Sequence, residues 1–90
     1  MTAVEIFCNQ LKMIDNQTDA ESTAYHYLPT ESVWVDDLGF VCIQNKETRQ
    51  HVRLGLRDDG SWCTISTPFA DLVEKEGVPI QRHLERLFFS

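Results

Sequence analysis

Ninety residues with a mass of 10.4 kDa have room for one hydrophobic core, so a single domain over 1–90 is expected. Hydrophobic residues make up 42% and charged residues 24%, which excludes a disordered chain, and four Gly with three Pro exclude a collagen-like or linker sequence. Eight Lys+Arg against fourteen Asp+Glu leave a formal charge of −6, the wrong sign for a protein whose main task is gripping nucleic-acid phosphates.

The acidity is uneven: residues 1–50 hold eight acids and three bases, residues 51–90 six acids and five bases. No apolar run approaches the roughly eighteen residues needed to span a bilayer, and the amphipathic N-terminus lacks the pattern of a secretory signal. Cys8, Cys42 and Cys63 are odd in number and form no CxxC pair. A reducing cytoplasm is the simpler expectation.

In chain order, Thr2-Ala3-Val4-Glu5 reads as a capping box. Val4, Phe7, Cys8, Leu11 and Ile14 then recur at helical spacing, predicting a helix over about 3–15. Thr18-Asp19-Ala20-Glu21 repeats the capping pattern and predicts a second short helix to about Tyr27, with a short strand as the alternative there. Pro29 closes that segment.

From Ser32 to Ser66 the period changes to two. Asp37-Leu38-Gly39 suits a three-residue loop closed by a left-handed glycine, which pairs Val35 with Val41, Trp34 with Cys42 and Val33 with Ile43. Asp59-Gly60 reads as a two-residue turn, pairing Arg57 with Trp62, Leu56 with Cys63, Gly55 with Thr64 and Leu54 with Ile65. In these registers one sheet face is aliphatic and the other carries both tryptophans. After the fourth strand, Thr67-Pro68, the Phe69/Leu72/Val73 stripe and Gly77 predict a short helix, and Pro79 opens a last helix marked by Ile80, His83/Leu84 and Leu87/Phe88. The fold class is therefore α+β: a four-stranded antiparallel sheet of two hairpins, about 32–45 and 51–66, with the N-terminal helix or helices and a C-terminal helix–turn–helix pair packed on it.

The chain carries little that reads as catalytic. The nearest two candidates for metal ligands, among Cys8, Cys42, Cys63, His26, His51 and His83, are nine residues apart, too far for the paired spacing of a structural zinc site. A Cys63–His83 dyad, or a serine nucleophile at Ser61 or Ser66, lacks any elbow motif, and no glycine-rich phosphate loop is present. No catalytic residue, metal or cofactor is expected.

Two local resemblances remain. Asp37 followed by Gln44-Asn45-Lys46 resembles the acid…(Glu/Gln)-x-Lys pattern of PD-(D/E)xK nucleases, with Glu5 as an added carboxylate; this implies Mg²⁺-dependent cleavage. Gln stands here for the usual Glu, and no proline precedes the aspartate. Within the predicted 69–88 helix–turn–helix, Leu72 to Leu87 resembles the helix–Gly-Val–helix core of bacterial DNA-binding motifs, which implies a DNA-binding regulator with Arg82, His83 and Arg86 toward the groove. Asp71, Glu74, Glu76 and Glu85 offset those bases.

The leading expectation is instead a small acidic cytoplasmic protein-binding module without catalysis: an inhibitor, immunity-type protein, adaptor or accessory subunit. Its partner is another protein, or a second copy in a homodimer, with neither membrane nor nucleic acid as first choice. The expected partner-binding face is Trp34, Phe40, Arg53, Gly55, Arg57 and Trp62, because Trp and Arg most often dominate interface energies. In it Arg57 faces Trp62 as a cation–π pair and Gly55 leaves a flat notch.

Overall fold

A computed structural model describes residues 1–65 and 80–89. Helix α1 (Ala3–Leu11) starts at the predicted cap, where the Thr2 hydroxyl accepts from the Glu5 amide at 3.1 Å. It ends earlier than its apolar stripe suggests, and Ile14 packs against the core from beyond the helix. Helix α2 (Gln17–Tyr27) begins before the expected Thr18, because Asn16 is the better cap: its Oδ1 accepts from the Asp19 amide at 2.8 Å. A single 3₁₀ turn (Thr30–Ser32) leads into the sheet.

Strands β1 (Val33–Val35), β2 (Val41–Gln44), β3 (His51–Leu56) and β4 (Trp62–Ile65) pair antiparallel in sequence order. Helix α3 (Ile80–Phe89) follows. The α+β class and the four-stranded sheet are as expected. The expected helix over 67–77 lies outside the described residues, so α3 alone stands for the C-terminal pair.

The first hairpin adopts the expected register, Val33↔Ile43, Trp34↔Cys42 and Val35↔Val41, and Gly39 has φ +89°. The second does not. Leu56 pairs with Trp62, Gly55 with Cys63, Leu54 with Thr64 and Arg53 with Ile65. The loop holds three residues, Asp58-Asp59-Gly60, closed by Arg57 N–H to Ser61 O at 2.8 Å and Gly60 N–H to Arg57 O at 3.0 Å. A type I′ turn would require positive φ at Asp59 as well as Gly60; only Gly60 has it, at +88°. Asp59 instead accepts from the Ser61 amide (2.9 Å) and hydroxyl (2.6 Å), which fixes the longer loop.

A one-residue shift turns every side chain of β4 over. Trp62 and Thr64 therefore share a face with Leu54 and Leu56, while Cys63 and Ile65 join Arg53 and Gly55 on the other. All three helices pack on the Trp62 side, in one cluster of Val4, Phe7, Leu11, Ala20, Ala24, Val33, Val41, Ile43, Leu54, Trp62, Leu84 and Leu87.

One polar clamp ties helix to sheet. The Gln17 carboxamide accepts from Val41 N–H (3.0 Å) and donates to Leu54 O (2.9 Å), bridging the pair that would continue the β2–β3 ladder. It meets a buried donor and a buried acceptor that would otherwise go unpaired.

Candidate functional site

The face away from the helices begins at Asp36, the last residue before the first loop. Its Oδ1 accepts from the amides of Leu38 (3.0 Å) and Phe40 (2.9 Å), an aspartate turn that shapes the loop. Its Oδ2 accepts from Arg53 Nε at 2.5 Å, and the Cys42 thiol lies 3.9 Å from the same oxygen. Arg53 arrives from β3, whose register sets it beside Cys42. Desolvation pushes the Asp36 carboxyl up, but the Phe40 amide, the Arg53 guanidinium and the Leu38 amide outweigh it and hold the group below its usual range. Burial pushes the Cys42 thiol up, so it is a thiol at neutral pH and a poor nucleophile. The Arg53 side chain is 10% exposed, and its buried NH1 has no hydrogen-bond partner among the described residues.

Around this pair the six expected partner-binding residues part company. Trp62 is corrected most: it is 8% exposed on the helix side, and its indole N–H donates to Ile14 O at 2.8 Å. Arg57 therefore does not face Trp62; it pairs with Ser61 across the loop and donates to the Ser61 hydroxyl at 3.0 Å. Gly55 leaves no open notch. A Cβ there would lie 2.6 Å from Ile65 Cδ1 and 2.9 Å from Cγ1, because the shifted register lays Ile65 across it. Arg53 is engaged in the ion pair. Trp34 and Phe40 stay half-buried on the outer face, where Trp34 meets His51 with ring centroids 6.0 Å apart. Trp34, Phe40 and Arg57 are thus the members of the predicted set that still face outward.

The residues of the two alternative catalytic readings lie apart. Cys63 lies on the outer face while His83 belongs to α3 on the opposite side, so no dyad forms. Asp37 sits in the first loop and Lys46 beyond the far end of β2, on the order of 15 Å or more away at strand rise. Gln44 lies on the outer face of the sheet and Glu5 on α1, against the other face. Among the described residues no group of three or more His, Cys, Asp or Glu is placed to hold a metal ion. No described helix is long and apolar enough to cross a membrane. Most of the helix–turn–helix resemblance falls outside the described residues; α3 itself buries Leu84 and Leu87 and exposes Arg82 and Arg86.

Sequence reading missed a second feature. An open cleft of about 630 Å³ lies between the start of β3 and α3, lined by Gln50, His51, Val52, His83, Arg86 and Leu87. Asn45 Nδ2 holds α3 to the preceding loop through Leu87 O at 2.7 Å. His83 Nε2 is buried and has no hydrogen-bond partner among the described residues, and burial, helped by Arg86, pulls this imidazole below its ordinary value. The basic content of 46–53 and 82–86 gave little signal for it, since of those lysines and arginines the cleft lining includes Arg86.

Comparison with protein-family models, with curated proteins and with solved structures gives no match.

Proposed function

We propose that this chain is a small acidic binding module, without catalysis of its own, that docks a basic protein on the outer face of its sheet through Trp34, Phe40 and Arg57. The observation that carries this reading is the half-exposed Trp34–His51 and Phe40 surface, built on a guanidinium that Asp36 already orients. Aromatic side chains anchored over a rigid centre lose little entropy on binding. Arg53 and Gly55 support that surface from below, and Trp62 serves the core instead.

Charge selects the partner. Two copies at −6 repel, whereas a basic surface is drawn to the hairpin-loop end of the sheet, where Asp36, Asp37, Asp58 and Asp59 gather. Strand addition at β1 is disfavoured: Val33 N–H is bonded to Thr30 O, and Val33 O accepts from the Tyr25 hydroxyl at 3.4 Å.

Solution mass and partner capture with Trp34→Ala, Phe40→Ala and Trp62→Ala test the proposal. Trp34→Ala and Phe40→Ala should keep the fold and lose a salt-sensitive basic partner. Trp62→Ala should destabilise the fold strongly. Retention of every partner by the folded Trp34→Ala/Phe40→Ala double variant contradicts the site, and a dimeric mass replaces the basic partner by a second copy.

A further inference from the structure

We propose that α3 is an acid-sensitive element, docked while His83 is neutral and loosened when its imidazole takes a second proton. The device is separate from the outer-face reading and does not depend on it.

The donor and acceptor inventory of the ring carries the argument. A neutral imidazole keeps one bare nitrogen, whereas an imidazolium is an N–H donor at both. The His83 side chain is half-buried with Nε2 as its buried atom, and no described residue gives that atom a hydrogen-bond partner. The neutral ring can leave its bare nitrogen there. The cation cannot: it places a charged N–H at Nε2 with no acceptor, the costlier of the two arrangements. With α3 undocked, the same N–H is hydrated.

The surroundings do not offset that cost. Helix α3 packs on α1, β3 and β4. On α3 itself Arg86, at the i+3 position, opposes a second positive charge at His83. From α1 come Cys8 and Lys12, and Glu85 of α3 acts on Cys8 there. The side chains that β3 and β4 turn toward the helices are Val52, Leu54, Leu56, Trp62 and Thr64, none of them charged. His51 borders the same cleft, but its ring lies against Trp34 on the outer face. Among the described residues no carboxylate draws the imidazole back toward its charged form, and burial with Arg86 leaves it below its ordinary value.

A group that titrates lower in the docked state than in the open one takes up protons on opening. Docking is therefore strongest above the ordinary histidine value of about 6.5 and weakens as pH falls below it. The attachments that protonation works against include Leu84 and Leu87 in the core, and Asn45 Nδ2 on Leu87 O at 2.7 Å. The cleft already brings solvent to the flank of α3 that carries His83 and Leu87. The strand ladders do not involve α3, so the response is local to it.

The test is native-state hydrogen exchange of the whole chain, read by NMR from about pH 7.5 to about pH 5.5. Protection of the α3 amides relative to those of β2 and β3 should fall by up to about tenfold one unit below the ordinary histidine value. His83→Phe keeps an uncharged ring and should remove most of that fall. Where the variant does not fold, the wild-type His83 ring resonances decide, and a midpoint below about 6.5 is expected. The proposal is overturned if that midpoint lies at or above about 6.5, or if His83→Phe keeps the full pH dependence. It is also overturned if α3 and the sheet lose protection together, since the response would then belong to the whole fold.

Discussion

The two hairpins close on the same kind of loop and live in different surroundings. In each, three residues end in a glycine near φ +90°, and an aspartate side chain accepts from a backbone amide to hold the turn. The first loop carries Leu38 at 64% exposure, and Trp34 and Phe40 beside it are half-buried. In the second hairpin β4 is buried along its whole length. The aspartates differ in the same sense: Asp36 reaches across β2 to a buried arginine on β3, whereas Asp59 accepts from Ser61 at the end of its own loop. Turn type alone, then, does not determine what a hairpin does. What matters is which face its register turns toward the helices.

The largest test of that contrast is the pair of tryptophans. Trp62→Ala should cost about 3–5 kcal/mol, because it empties a core position and frees a buried acceptor at Ile14. Trp34→Ala should cost well under half as much by denaturant unfolding. Equal losses would break the contrast.

Next comes Asp36→Ala, expected to destabilise by about 2–3 kcal/mol, since it leaves the Arg53 guanidinium buried and unpaired. Asp36 titrates lower in the folded chain than in the unfolded one, so its stabilisation is present above about pH 4 and fades as pH falls further. The variant's stability should therefore fall less steeply than wild type in acid, as an acid series of unfolding curves would reveal.

Gly55→Ala comes third, at about 1–2 kcal/mol, because the new methyl meets Ile65. In the expected register Gly55 would have faced Thr64 and kept an open notch, and the substitution would have been nearly silent. The smallest effects belong to Gly39→Ala and Gly60→Ala, about 1 kcal/mol each from the positive φ, with open space at both positions. Similar thermal shifts for the two would confirm that both loops are of one type.

Much of this fold was legible from local chemistry. The Thr2–Glu5 cap, the α1 stripe and the whole first hairpin follow from residues within a few positions of one another. The second register does not, for a physical reason. Asp59-Gly60 suits either a two-residue or a three-residue loop, and both flanking strands are apolar at alternate and at adjacent positions. Periodicity therefore could not arbitrate between them. The choice rests on contacts distant in sequence: Trp62 to Ile14, and Ile65 across Gly55. Gln17 was hidden for a related reason. It reads as a turn residue, and its role appears only once β2 and β3 lie beside α2.

The candidate site was less legible than the fold. Of the predicted partner-binding set, the register keeps Trp34, Phe40 and Arg57 toward the outer face, whereas a single slipped residue moved Trp62 inside and closed the notch at Gly55. The cleft required two segments about thirty residues apart to meet, which no local pattern encodes.

Fluorescence of the Trp34→Phe variant reads the side of the sheet on which Trp62 lies, because that indole is then the only one left. Blue-shifted emission, shielded from acrylamide and red-shifted only on unfolding, is the result expected of a ring packed among α1, α2 and α3. Red-shifted, freely quenched emission from the folded protein would put Trp62 in water and restore the two-residue turn.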